Sequence, residues 1–137
     1  MDIKTNWVAS DFINASDYNR ISDNITEVVH YLSDYFYSVD YNMCDDYDMS
    51  HVSYSDYATV DKWNAITTVL YDLDTKMNGL IQSKILTWSE GDEYLAYDDL
   101  NYIEGVVNNA YNVYNSLRQN EKKLPIILGH EGEFNYG

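Results

Sequence analysis

Three stretches of this chain repeat apolar residues with the period of an α-helix, near residues 16–37, 59–80 and 98–120. Each stripe begins at an isoleucine and continues on one helical face. The stripes are Ile21, Ile25, Val28, Val29, Leu32; Ile66, Val69, Leu70, Leu73, Met77, Leu80; and Ile103, Val106, Val107, Ala110, Tyr114, Leu117. Because such faces are buried against one another, the fold class expected is mainly α, a small bundle of three repeated amphipathic helices.

Each predicted helix opens with the same short motif, an aromatic residue or leucine followed by Asn-x-Ile. The three copies are Tyr18-Asn19-Arg20-Ile21, Trp63-Asn64-Ala65-Ile66 and Leu100-Asn101-Tyr102-Ile103. One supersecondary unit is therefore expected to occur three times. Asparagine has a modest cost inside a helix, so we expect the repeated asparagine to bond the backbone or a neighbouring repeat.

The first and third copies share a lead-in of the form Trp-x-x-x-Asp. Trp7 precedes Asp11, and Trp88 precedes Asp92, by four residues each. The second copy shows only Tyr54-Ser55-Asp56-Tyr57. Short polar residues predict the helix starts, with N-caps at Ser16 or Asp17, at Thr59 and at Asp98.

The connections between the helices predict two kinds of structure. Residues 38–58 form a long, acidic, tyrosine-rich loop without periodicity, which is a candidate functional loop. Short β-hairpins are expected in residues 81–96 and 124–134, where apolar runs flank Ser89-Glu90-Gly91-Asp92 and Gly129-His130-Glu131-Gly132. Pro125 is expected to end the third helix.

Length and charge limit the possible functions. A chain of 137 residues is expected to form one domain, residues 1–137. Its 23 acidic and 8 basic residues give a net charge of −15, which repels nucleic-acid phosphates and would attract a basic partner. No stretch is apolar enough to span a membrane, and the first residues do not resemble a signal peptide. The lone Cys44 has no second cysteine for an internal disulfide.

Residue patterns that indicate catalysis or metal binding are weak. The three histidines are far apart in sequence, and neither a phosphate-binding loop nor a nucleophile elbow is present. Asp45, Asp46 and Asp48 suggest a loose cation site, but an EF-hand starting at Asp46 would place His51 where glycine is needed. We therefore expect neither an enzyme nor a cofactor or metal site.

The chain has fifteen tyrosines, many beside aspartate. Tyrosine suits protein recognition or sugar stacking, and codon bias in an AT-rich genome explains the composition equally well. The expected contact elements are the loop 38–58 and the two tryptophan lead-ins. The contact residues predicted there are Trp7, Asp11, Asp45, Asp46, Tyr47, Asp48, Trp88, Glu90 and Asp92.

The run from Asn6 to Ile21, with Asn24-Ile25 and the later Leu100-Asn101-Tyr102-Ile103-Glu104, resembles small proteins from the tail and structural gene regions of prophages in Gram-positive bacteria. Those sequences show a Trp-x-x-x-Asp-Tyr-Phe-Asn lead-in, an Asp-Tyr-Asn-Arg-Ile core and a later Leu-Asn-Arg-Ile-Glu. In this last motif, Tyr102 replaces the arginine. The resemblance implies a phage-encoded, tail- or virion-associated interaction module, without catalysis or cofactor, whose partners are other phage structural proteins or further copies of itself.

The acidic charge and small size favour two alternatives. One is a phage inhibitor of a host defence nuclease, similar to an anti-CRISPR protein, whose carboxylates imitate phosphates and bind a basic nucleic-acid-binding protein. The other, carbohydrate recognition, depends only on the tyrosine and tryptophan content. The expected location is the virion or the cytoplasm of the infected bacterium.

Overall fold

Three α-helices form most of the structure, which is a computed structural model. It describes residues 1–84, 86–89 and 95–128, with side chains as far as residue 121. The prediction of a mainly α fold with three helices is confirmed. The elements, in order, are α1 (Ala15–Leu32), a 3-10 helix (Met43–Asp46), α2 (Val60–Lys76) and α3 (Tyr97–Leu128).

Side chains at the helix starts explain where each helix begins. Asn14 caps α1 and forms a capping box with Asp17, so the cap lies before the predicted Ser16 or Asp17. Thr59 caps α2 as predicted, and its side chain accepts from the amide of Lys62. At α3 the Asp99 carboxylate accepts the Ala96 amide at 2.9 Å, instead of a cap at Asp98.

The core contains most of the predicted apolar stripes, but Leu80 lies beyond the end of α2 and is 56% exposed, and Tyr114 and Leu117 are half-buried. The residue before each repeated asparagine and the isoleucine two positions after it are buried, and Tyr18 meets Trp63 edge to face with ring centroids 5.1 Å apart. Equivalent positions of the three helices therefore pack together. These residues are Tyr18, Trp63, Leu100, Ile21, Ile66 and Ile103.

The helices run in the same general direction. Ile13, Ala58 and Leu95, which lie just before the three helices, border one cavity. At the other end of α1 and α3, Tyr31 stacks on Tyr114 with centroids 4.5 Å apart. Each connection must therefore return along the bundle before the next helix starts.

The predicted β-hairpins are wrong, since the described residues contain no strand. Residues 86–88 are instead hydrogen-bonded to side chains of α2, which satisfy the backbone groups that a partner strand would have paired. The end of α3 was also predicted wrongly. The helix continues past Pro125 to Leu128, because the lost backbone hydrogen bond and the crowding of the preceding turn by the proline ring can kink a helix without ending it. The remaining hairpin residues, 85, 90–94 and 129–134, lie outside the described residues.

The loop 38–58 is anchored to the core by its apolar side chains. Val39, Met43, Cys44 and Met49 are buried, while Asp45 and its acidic neighbours face solvent. The sequence did not predict this packing, because the buried apolar residues of the loop are single and irregularly spaced and so form no periodic pattern. In the described part of the chain, no helix is long and apolar enough to cross a membrane.

Truncating Ile66 to alanine should destabilise the protein by about 2–5 kcal/mol, because its side chain is fully buried among all three repeats. Leu80→Ala is the matched control, since Leu80 is 56% exposed. It should change the free energy of unfolding by less than about 0.5 kcal/mol. Urea denaturation followed by circular dichroism measures both, and equal losses would contradict this packing.

Candidate interaction site

The repeated asparagines bind the backbone of extended segments. Asn19 of α1 donates from Nδ2 to the carbonyl oxygen of Val52 at 3.0 Å, and the Val52 amide donates to Asn19 Oδ1 at 2.9 Å. Asn64 of α2 makes the same pair of bonds with Trp88, at 2.8 and 2.9 Å. This confirms the expectation that the asparagines bond backbone.

The third asparagine makes the same pair of backbone hydrogen bonds, with Trp7. Asn101 of α3 donates to the Trp7 carbonyl oxygen at 3.0 Å and accepts the Trp7 amide at 2.7 Å. Thus α1 holds the lead-in of the second unit, α2 that of the third, and α3 that of the first. The three contacts form a closed ring.

A second polar residue, three positions after each asparagine, reinforces every contact. Ser22 donates to the Met49 carbonyl oxygen at 2.6 Å and Thr67 to that of Leu86 at 2.5 Å. All three residues at this position, including Glu104, are nearly fully buried. We call each asparagine with the residue three positions later a clamp; the clamps are Asn19/Ser22, Asn64/Thr67 and Asn101/Glu104.

Val52 occupies the position that Trp7 and Trp88 occupy in the other units. Trp7 and Val52 each precede the asparagine of their own helix by 12 residues, and Trp88 precedes its asparagine by 13. The second copy therefore has a lead-in, which the sequence reading missed because valine replaces tryptophan. The 12-residue spacing that Val52 shares with Trp7 was the signal that would have found it.

The clamp on α3 contains a buried ion pair. Glu104, only 1% exposed, accepts from Arg20 Nη1 at 2.6 Å and Nη2 at 2.9 Å. The same carboxylate accepts the Lys4 amide at 2.9 Å and the Trp7 indole N–H at 2.6 Å. The hydrogen bond to Glu104 raises the pKa of Arg20. Four donors thus compensate for burial of this charge.

Two adjoining cavities lie where the three helices start. One, of about 220 Å³, is lined by Ile13, Ala58 and Leu95, which stand six positions before the three asparagines, and by Trp63. The second, of about 230 Å³, shares Ile13 and Leu95 with the first. Each of these three residues lies just before a helix start, and side chains cap the first two starts at Asn14 and Thr59.

Exposed apolar side chains surround these cavities. Phe12, 89% exposed, precedes Ile13, and Tyr57, 79% exposed, lines the first cavity from the equivalent position of the second unit. Val8 and Tyr97 line the second cavity and are also exposed. We call Val8, Phe12, Tyr57 and Tyr97 the apolar rim. It is the candidate site for binding another protein, and the sequence reading did not single it out.

The predicted tryptophan contacts are largely inside the protein. Trp7 is buried and Trp88 is half-buried. Asp11 lies 3.4 Å from Lys4 and accepts the Val8 amide at 3.0 Å, and that backbone hydrogen bond lowers its pKa. Because Trp7 and Asp11 have these internal partners, they organise the lead-in more than they offer a contact surface.

The acidic loop residues lie near α1 and α2: the 3-10 helix that contains Asp45 and Asp46 contacts α1, and Tyr47 and Asp48 bind side chains of α2. Asp45 and Asp46 are exposed, Tyr47 is half-buried and donates its hydroxyl to Asp72, and Asp48 pairs with Lys62 at 3.1 Å. The side chains within residues 1–84, 86–89 and 95–121 include no group of three or more His, Cys, Asp or Glu that could hold a metal ion. The predicted contact residues Glu90 and Asp92 lie outside the described residues.

Comparison with known proteins identifies no relative: no protein-family model, no curated protein and no solved structure matches this chain. The resemblance to prophage tail-region proteins therefore stays a prediction.

Replacing Asn64 by alanine should destabilise the protein by about 1–3 kcal/mol, because it removes two hydrogen bonds and leaves the Trp88 amide and carbonyl without them. Asn112→Ala, at an exposed position of α3, is the control. It should be neutral or stabilising by about 0.5 kcal/mol through helix propensity. Chemical denaturation of both variants tests this, and equal stabilities would contradict a clamp role.

The Cys44 thiol should report on docking of the loop 38–58. Burial, with a smaller contribution from Asp45, raises the pKa of this thiol to about 11 from 9.0. At pH 8 the folded protein should react with a thiol reagent roughly 100-fold more slowly than the unfolded chain, since only the thiolate reacts.

The same shift predicts the sign of a pH effect on stability. The folded state binds the proton of the Cys44 thiol more tightly than the unfolded chain does. The resulting contribution to the free energy of unfolding is complete below about pH 9 and is lost as the pH rises towards 11. Cys44→Ala should lose less stability than the original protein between pH 8 and 11. An identical decline in both would show that the thiol is not buried.

Proposed function

We propose that this chain is a phage-encoded, tail- or virion-associated module that binds another protein through the apolar rim and acts without catalysis. The observation that carries the proposal is the exposure of Phe12 and Tyr57 at equivalent positions beside the cavity between the helix starts. The phage setting comes from the resemblance of the Asn6–Ile21 run. The binding mode comes from the geometry of the rim.

The rim has the properties of a protein contact surface. A cluster of exposed apolar side chains on a small protein commonly marks an interaction site, and aromatic residues dominate the energy of such interfaces. Aromatic side chains have few rotatable bonds, so ordering Phe12, Tyr57 and Tyr97 on binding costs little conformational entropy. Aspartates adjoin each aromatic residue, as in Asp11-Phe12, Asp56-Tyr57 and Tyr97-Asp98. This favours a partner element that is apolar with a basic border.

The charge distribution supports the second candidate, an acidic inhibitor of a host nuclease. Lys4, Arg20 and Lys62 pair with carboxylates of this chain, and Lys84 and Arg118 lie over tyrosine rings. Most described cations are thus already engaged, whereas the five aspartates of the loop 38–58, and Asp23 of α1, are exposed. Such a surface would bind a basic groove, and its contacts would differ from those of the apolar rim.

The two candidates are separated by a pull-down from a lysate of the phage-producing host, at low and high salt, with the tagged chain and the Phe12→Ser/Tyr57→Ser variant. Tail or baseplate proteins should be recovered at both salt concentrations. The double variant should lose more than about 90% of them, because truncating an aromatic anchor costs about 2 kcal/mol or more.

Tyr37→Ser is the matched control, because Tyr37 is 99% exposed and lies outside the rim. It should leave the recovery unchanged. Recovery of a basic nucleic-acid-binding protein at low salt alone, unaffected by the rim substitutions, would favour the inhibitor. Absence of the chain from purified phage particles would count against the tail-associated module.

A further inference from the structure

We infer that the groove between α1 and α3, which holds residues 2–7, also takes the same segment from a second copy of this chain. We call Arg20, Asn24, Asn101 and Glu104 the segment groove. The exchange would link copies head to tail. This inference does not depend on the proposed function, because none of these four residues belongs to the apolar rim.

The segment groove recognises residues 2–7 entirely through noncovalent contacts. Arg20 and Asn24 donate to the Asp2 carbonyl oxygen at 2.9 and 2.7 Å. Glu104 accepts from Lys4 and Trp7, and Asn101 makes its two bonds with the Trp7 backbone. An identical segment from another copy would satisfy every one of these groups without any change in the groove.

Of the three clamps, the connectivity allows exchange to open the one on α3, Asn101/Glu104. Asn19 and Val52 are 33 residues apart and Asn64 and Trp88 are 24 apart, so one connection joins each pair. Asn101 and Trp7 are 94 residues apart and meet only when the ring closes. Releasing residues 2–7 leaves the first two clamps intact, so the helical core can persist in an open copy.

The link between the segment and α1 has the features of a hinge. Val8, Ala9 and Ser10 are exposed, and Ala9 and Ser10 form a turn closed by the Asp11 amide bonding to the Val8 carbonyl oxygen at 2.9 Å. Straightening residues 8–13 would give a reach of roughly 20 Å and would leave the Asn14 cap of α1 in place. The local hydrogen bonds lost are the two between Val8 and Asp11, and an exchanged segment regains its contacts with the segment groove.

Head-to-tail exchange has a defined geometry. Each copy donates its segment to one neighbour and accepts a segment from another, which is a heterologous interface that builds rings or filaments. A closed monomer competes with it, because a segment on a short tether has an effective concentration in the mM range. Exchange is therefore favoured at high local concentration, or when the hinge is too short to close.

Two full-length variants test the exchange. Trp7→Ala impairs the segment and keeps the segment groove, whereas Asn101→Ala/Glu104→Ala impairs the groove and keeps the segment. Mixed, they should form a 1:1 heterodimer by light scattering and native mass spectrometry, with affinity at least about tenfold above that of either variant for itself. A mixture that contains only the species of the separate variants, up to mM concentration, would overturn the inference.

Deleting Ala9 and Ser10 from the otherwise unchanged chain gives an independent test. Shortening the hinge should convert the monomer into dimers or larger species at μM concentration, and the same deletion with Asn101→Ala/Glu104→Ala should abolish them. A deletion variant that is a folded monomer would contradict the exchange. Neither test uses Phe12 or Tyr57, so its failure would leave the proposed function standing, and the pull-down can fail without affecting the exchange.

Discussion

The two hydrogen bonds between a helix asparagine and the backbone of one extended residue are the contact on which this fold depends. Three helices that run the same way need connections that return along the bundle. The backbone amides and carbonyls of those connections must find partners wherever water is excluded. Asn19, Asn64 and Asn101 supply both a donor and an acceptor to one residue each, in place of a neighbouring strand. Asn19 and Asn64 thus each set the path of the connection that follows their helix, and Asn101 sets the path of the segment before α1.

The clamp on α3 differs from the other two because its partner is distant in sequence. Ser22 and Thr67 each need to bind a single carbonyl oxygen, and a hydroxyl suffices. Glu104 must accept more hydrogen bonds, since the Lys4 amide and the Trp7 indole both donate to it. The carboxylate provides more acceptor positions, and Arg20 balances its charge at hydrogen-bonding distance. Loss of either member would leave a buried charge unpaired, which is strongly destabilising.

The contacts inside the protein also determine which charged and apolar side chains are exposed at its surface. Arg20 pairs with Glu104 of another unit and Lys62 pairs with Asp48 of the loop 38–58, so much of the negative charge of the chain remains towards solvent. At the helix starts, the return segments place Phe12 and Tyr57 outward and Ile13 and Ala58 inward. The apolar rim is therefore a consequence of the repeat, because the same alternation occurs in two of its units at equivalent positions.

The sequence by itself determined the number of helices, their apolar faces and the selection of the three asparagines, because helical periodicity and a motif within four residues are local properties. Tertiary structure decided which backbone each asparagine binds. Those partners lie 24 to 94 residues away, beyond any local pattern. The hairpin over residues 81–96 was mispredicted for the same reason: an extended segment looks alike in sequence whether a strand or a helix side chain pairs with it. Trp7 and Phe12 show most clearly that burial could not be predicted from the sequence alone. Both are aromatic residues of one lead-in, and only the packing of α3 against it buries the first and leaves the second exposed.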